Sequence, residues 1–299
     1  MLYPCFCTRK EIQHEIAQAG NAPHGPDGPL YPGTCRTRSA GERQDRIGRG
    51  DAYALRLDVA RLRPDQGYHF LHRADLIDLL ARGAREAGVQ IRLLQKIAQV
   101  DLSGPRPRLV TAQGAEHRPA LLIGADGLHS QTRAALNGMV APFFTRQVAW
   151  RTIIPAEAGA EPVAEVHMGP GRHLVSYPLR GGTLRNIVAV EERNRWVEEG
   201  WSLRDDPMEL RLAFDGFSPR VKGWLAAVQD VYLWGLFRHP VAKVWGKALP
   251  EGAVAILGDA AHPTLPFLAQ GASMGLEDAW VLVGATAFGI GDDDLALAA

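Results

Sequence analysis

Two carboxylates sit where a chain passes from an apolar run into a glycine turn, and each position suits ligand chemistry. The first is Asp259, in Leu257-Gly258-Asp259-Ala260-Ala261-His262-Pro263-Thr264-Leu265-Pro266, followed by Gly271-Ala272-Ser273-Met274-Gly275-Leu276-Glu277-Asp278-Ala279. A carboxylate at the tip of a buried strand repels phosphate but accepts hydrogen bonds from sugar or polyol hydroxyls, which points to a ribityl or ribose partner. Pro266 removes a donor and stiffens the loop, and a helix opening at Gly271 turns its positive end toward an anion. The second is Asp126, in Ile123-Gly124-Ala125-Asp126-Gly127-Leu128-His129-Ser130-Gln131-Thr132-Arg133. Glycines let a ligand approach the backbone, and Ser130 is placed to cap the following helix. A plain strand-turn-helix junction that uses Asp126 as a cap would have the same sequence. His262, followed by proline, reads as a loop-packing histidine more readily than as a base.

The elements that must hold these residues can be read from periodicity. Ala74–Ala87 carries Leu76, Ile77, Leu80, Ala84 and Ala87 at helical spacing and ends at Gly88, after which Val89–Leu94 is strand-like. Ile97–Leu102 and Arg108–Ala112 read as a hairpin, and Ala120–Ile123 as a continuous buried strand. Val148–Ile154, Val163–Met168, His173–Leu179 and Leu184–Val190 form a run of strands, predicting an antiparallel sheet. Helices are expected over Pro207–Phe214 and Pro219–Val228, then strands Val231–Phe237 and Val254–Leu257, then a helix from about Gly271. Alternation puts His173, Val175, Tyr177 and Leu179 on one side of a strand and Leu174, Ser176, Pro178 and Arg180 on the other.

Composition excludes several classes. With 299 residues, 46% hydrophobic and 22% charged, the chain can bury one large α/β core or two ordinary ones. Lys plus Arg and Asp plus Glu are 33 each, so no net field draws in nucleic acid or an anionic bilayer. The longest apolar run, Ala279–Ile290, is too short for a membrane span, which needs about 20 residues. The three cysteines, Cys5, Cys7 and Cys35, lack metal-ligand spacing, so no metal site is expected. With no secretory leader pattern, a cytoplasmic location is expected.

The Asp126 and Asp259 motifs, in this order and about 130 residues apart, resemble the second and third FAD fingerprints of the single-component aromatic flavoprotein monooxygenases. This is the family of p-hydroxybenzoate hydroxylase, salicylate hydroxylase and 3-hydroxybenzoate 6-hydroxylase. Phe70-Leu71-His72-Arg73-Ala74-Asp75-Leu76, Ala149-Trp150-Arg151 and Gly169–Arg180 match the salicylate-hydroxylase-like branch as well, so the likeness covers residues 68 to 288. The resemblance implies an α/β fold: a glutathione-reductase-type, Rossmann-like FAD-binding domain with an inserted antiparallel-sheet substrate domain. It implies that Arg73 contacts FAD, that Asp126 and Gly127 influence use of NADH or NADPH, and that Gly258 and Asp259 meet the ribityl chain. Pro266, Gly271 and Ala272 would border the isoalloxazine. Arg73 could instead pair with Asp75 or cap a helix. For an aromatic acid, His173 and Tyr177 are the candidates for catalysis and Arg151 and Arg180 for a clamp, while a core tyrosine and solvated arginines would leave the same trace.

The pattern also departs from the family. Residues 1–67 contain no Gly-x-Gly-x-x-Gly unit. Gly20–Gly50 holds seven glycines, four prolines and five arginines, too few apolar groups to offset ordering entropy. Arginine outnumbers lysine 28 to 5, a bias of GC-rich coding DNA, so residues 1–50 are expected to be disordered or read from the wrong frame. The FAD-binding domain is then N-terminally incomplete and discontinuous, 51–147 and 231–299, around a substrate domain at 148–230. The expected activity is NAD(P)H-dependent hydroxylation of a small phenolic or carboxylated aromatic by molecular oxygen, through a flavin C4a-hydroperoxide, with a homodimer allowed. The alternative is a truncated, inactive fragment that does not retain FAD.

Overall fold

A computed structural model describes residues 4–8, 31–32, 34–39, 53–57, 66–161, 163–195, 197, 199–200, 202–267 and 270–287. The chain divides into two compact units, Met1–Ala87 with Phe144–Phe237, and Gly88–Phe143 with Arg238–Ala299.

The first unit is built on an eight-stranded sheet. In chain order its described strands are β1 (Pro4–Thr8), β2 (Tyr31–Pro32), β3 (Thr34–Ser39), β4 (Tyr53–Leu57) and β5 (Gln66–Phe70), and the helix α1 (Arg73–Glu86) follows. In the second unit come β6 (Ile97–Asp101), β7 (Arg108–Thr111), β8 (Glu116–His117), β9 (Leu121–Gly124) and α2 (Gln131–Asn137). The chain re-enters the sheet with β10 (Phe143–Pro155), β11 (Val163–Gly169), β12 (Arg172–Leu179), β13 (Leu184–Glu192), β14 (Arg204–Asp205), α3 (Pro207–Ala213), α4 (Pro219–Ala226) and β15 (Val231–Arg238). It ends with β16 (Gly246–Leu249), β17 (Gly252–Ile256) and α5 (Gly271–Ala287). The large sheet has the order β14-β15-β10-β13-β12-β11-β3-β4, and β1-β5-β2 form a separate three-stranded sheet.

The expected run of antiparallel strands is present: β10 pairs with β13, β13 with β12 and β12 with β11. One face of this sheet is covered by α3 and α4. Val148, Trp150, Leu174, Ile187 and Ala189 pack there against Leu210, Phe214, Val221, Trp224 and Leu225. Each large side chain so buried contributes about 1.5–3 kcal/mol. Both helices start as their sequences require, with Asp206 and Ser218 as N-caps and Pro207 and Pro219 in the first turn.

Three expectations are corrected. Val89–Leu94 forms no strand; Leu94 has φ 59°, which breaks an extended path, and Leu93 and Leu94 are 72% and 93% exposed. The Ala120–Ile123 strand exists as β9, but it is an edge strand of the sheet β16-β17-β9 and alternates, with Leu121 and Ile123 exposed. Most of residues 1–50, expected to be disordered or out of frame, lie outside the described residues; residues 4–8, 31–32 and 34–39 are strands, and β3 pairs in parallel with β11. The unit boundaries also run differently from the expected 51–147, 148–230 and 231–299, because β15 lies beside β10 in the large sheet.

The second unit contains the expected hairpin, β6 antiparallel to β7, and the parallel pair β9 and β17. Both carboxylate turns leave this parallel pair at its carboxyl end, the edge at which open α/β sheets bind ligands.

Candidate functional site

After β9 the chain turns through Asp126 into α2. Ser130 is the N-cap and accepts from the Arg133 amide at 2.8 Å. The Asp126 carboxylate accepts from the Ser130 hydroxyl at 2.5 Å, the Thr132 amide at 3.1 Å and the Thr132 hydroxyl at 3.2 Å. Its hydrogen-bonding capacity is directed inward, as the helix-capping alternative requires. Gly124 allows this close approach: a Cβ there would lie 2.5 Å from the Thr132 Cβ. Gly127 has φ 75° and open space where a side chain would stand, so its backbone remains approachable.

After β17 the chain enters the turn Gly258–His262, with Gly258 at φ 58°. The Ala261 and His262 amides both donate to the Gly258 carbonyl at 2.9 Å. The turn is tied to α5 by Asp278, whose Oδ2 accepts from the Gly258 amide at 2.7 Å and lies 2.5 Å from His262 Nε2. His262 is buried against the Trp245 ring, with centroids 5.1 Å apart. Gly258 and Gly275 face each other, and a Cβ on Gly275 would meet the Gly258 Cα at 3.6 Å, an ordinary contact. Asp259, Pro266, Gly271 and Ala272 are all half-buried around this corner. Sequence reasoning placed His262 as a packing residue and missed Asp278. The available signal was that α5, otherwise uncharged, carries two adjacent acids, Glu277 and Asp278.

The first unit offers a different surface on the sheet face opposite α3 and α4. The register sets Arg151 beside Val188 and Val188 beside Val175, so Arg151, Val175, His173 and Tyr177 share this face. Tyr177 is buried and stacks on Phe70 at 5.2 Å. Burial holds the His173 imidazole below its ordinary pKa. The Arg151 guanidinium lies over the rings of Trp234 at 5.5 Å and Tyr232 at 6.0 Å. A cavity of about 940 Å³ opens here, lined by His72, Arg73, Ile77, Arg151, Ile153 and Tyr232 among others. Arg73 neither pairs with Asp75 nor caps α1: the cap is His72, and Asp75 is held by Arg180 at 3.0 and 2.7 Å. Arg73 has no acidic partner among the described residues, whereas Arg180, an expected clamp, is spent on Asp75. The one lining acid, Asp230, binds Arg204 at 2.8 Å.

The described residues fit part of FAD. The Asp259 turn brings a carboxylate, and the start of α5 a positive helix end, to the carboxyl edge of the parallel pair. No strand-glycine-helix unit of the Gly-x-Gly-x-x-Gly type occurs among the described residues. No described helix is long and apolar enough to cross a membrane.

Comparison with known proteins identifies the family. The FAD binding domain family matches residues 34–290. A 3-amino-4-hydroxybenzoate 2-monooxygenase of Streptomyces platensis is 32% identical over 226 residues, 72% of this chain and 54% of that protein. A salicylate hydroxylase of Pseudomonas putida is 30% identical over 246 residues, 75% of this chain and 55% of that protein. The chain thus spans about half the length of the curated relatives it matches. Among solved structures, a salicylate hydroxylase substrate complex superposes with a TM-score of 0.70 at 21% identity, covering 94% of this chain and 71% of that one. Klebsiella pneumoniae HpxO with FAD and uric acid gives 0.68 at 20% identity, covering 95% and 70%. The fold is that of these flavoproteins, and the chain belongs to the FAD-binding family of the aromatic monooxygenases.

Proposed function

We propose that this chain carries the body of an FAD-dependent, NAD(P)H-consuming monooxygenase that hydroxylates a small phenolic or carboxylated aromatic. The observation that carries the reading is the cavity of the first unit, whose lining includes Arg73 and Arg151 beside Ile77, Ile153 and Tyr232. An apolar pocket with a few convergent cations takes a planar acid: the ring removes apolar surface from water and the guanidinium meets the carboxylate. Arg151, steadied by its two aromatic neighbours, holds the carboxylate, and Arg73 contacts FAD. His173 and Tyr177, on the same sheet face, are the candidates for the proton step at the phenol.

When bound, FAD supplies the redox chemistry, taking electrons from NADH or NADPH and passing them to oxygen. Asp259 accepts from the ribityl hydroxyls, Gly258 keeps the backbone close, and Pro266 with Gly271 and Ala272 borders the isoalloxazine. Asp126 acts by fixing its turn, so that the Gly127 backbone stands at the dinucleotide. The protein's remaining task is to place the ring and exclude water. The assay uses the chain extended upstream by a Gly-x-Gly-x-x-Gly unit, offers a panel of hydroxybenzoates, and measures NADH and NADPH consumption, oxygen uptake and labelled oxygen in the product. The expected result is oxygen-dependent oxidation with incorporation. Turnover unchanged under strict anaerobiosis would exclude a monooxygenase.

A second reading, an inactive fragment that does not retain FAD, is favoured by the lack of a Gly-x-Gly-x-x-Gly run in residues 1–67. Its test is whether the purified 299-residue chain is yellow.

A further inference from the structure

We propose that Asp278 is the positioning residue of the flavin site: it does not meet the cofactor, and it orients Asp259 by closing the turn on which Asp259 stands. The inference rests on the reading that Asp259 accepts the ribityl hydroxyls. A single carboxylate oxygen, Oδ2 of Asp278, serves both ends of the five-residue turn, taking the Gly258 amide at 2.7 Å and facing His262 Nε2 at 2.5 Å. Asp259 lies between those two ends. Each end has an independent reason to need the acid. Gly258 is buried at a left-handed φ of 58°, and its amide finds its acceptor in Asp278, 20 residues further along the chain. His262 is buried, and its Nδ1 has no hydrogen-bond partner, so the interaction with Asp278 is what fixes the ring against Trp245.

The rest of the frame is rigid. Trp245 donates from Nε1 to the Ala242 carbonyl at 2.8 Å, and the Ala242 amide returns to the Ala261 carbonyl at 2.8 Å. Ile256 donates to the Trp245 carbonyl at 2.8 Å, which anchors the exit of β17 to the same segment. The turn is therefore supported from below by residues 242–245 and locked from above by one acid on α5. Removing that acid leaves two buried donors without an acceptor and lets Asp259 reorient, and an acceptor held loosely loses affinity by the disorder it must give up on binding.

The test is a double-mutant cycle on the full chain, with FAD titrated to millimolar concentration and binding read by flavin fluorescence. Asp278→Asn should weaken FAD roughly tenfold. In an Asp259→Ala background the same substitution should have no further effect, because Asp278 acts only through Asp259. Losses that simply add would overturn the proposal and make Asp278 a stability residue. No loss on Asp278→Asn would overturn it too. No loss on Asp259→Ala would instead remove the reading of Asp259 beneath it. Should Asp278→Asn not fold, His262→Gln releases one end of the turn alone; it should speed hydrogen exchange at the Ala261 and His262 amides and weaken FAD, and unchanged exchange and affinity would refute the positioning role.

Discussion

The two carboxylate turns of the second unit look alike in sequence and differ in what their acids do. At Asp126 the residue in the turn does the internal work, accepting from Ser130 and twice from Thr132. At Asp259 the internal bonds of the turn fall on another residue, Asp278, reached across from α5. One turn is closed by its own acid and the other by an acid from a helix 20 residues further along the chain. The first arrangement gives Asp126 an internal role, and the second gives the corresponding role in its turn to Asp278.

The largest effect expected from this contrast concerns the phosphate end of the cofactor, which neither turn provides. The 299-residue chain should retain little FAD through gel filtration, because several charge-assisted bonds of roughly 1.5–3 kcal/mol each are lacking, worth orders of magnitude in affinity. A flavin spectrum at near-stoichiometric occupancy would show that another segment takes the pyrophosphate. In the chain extended by a Gly-x-Gly-x-x-Gly unit, Asp259→Ala should cost about 1.5–3 kcal/mol of FAD binding, roughly 10- to 150-fold. Equal flavin affinity would remove Asp259 from the site.

Asp126→Ala should do the reverse. Losing the acceptor of the Thr132 amide and of two hydroxyls should lower stability by about 0.5–2 kcal/mol, the usual cost of a lost helix cap. FAD affinity in the extended chain should move little. Denaturant unfolding beside flavin titration separates the two, and a variant that unfolds normally yet loses FAD would erase the distinction between the turns.

Local chemistry made much of this legible in the sequence. The Ser130 cap, the proline starts at Pro207 and Pro219, and the two faces of His173–Leu179 follow from short-range rules and are found as read. What failed was non-local. Val89–Leu94 has the residues of a strand, but a strand needs a neighbour's edge, and its apolar side chains stay exposed. Val231–Phe237 could be read as a strand, but not as the neighbour of β10 some 80 residues earlier. Asp278 stands 20 residues beyond Gly258, and only the packing of α5 on the turn brings them together.

The smallest effect contrasts these acids with a titratable group whose pKa is shifted by burial. On the open face of the large sheet, burial penalises the charged imidazole of His173 and lowers its pKa in the folded chain. In the unfolded chain the same ring takes its proton near pH 6.5. Below that value the unfolded state binds more protons than the folded one, so stability is full at neutral and higher pH and is lost as pH falls through the folded pKa. Melting temperatures taken from pH 7.5 down to 5.0 should fall gradually, and His173→Gln, which keeps a polar side chain of similar reach but cannot take up a proton, should flatten that slope. A profile that His173→Gln leaves unchanged would mean that the imidazole takes its proton as readily in the folded sheet as in the unfolded chain, and burial would then give it no advantage as a proton acceptor for the phenol.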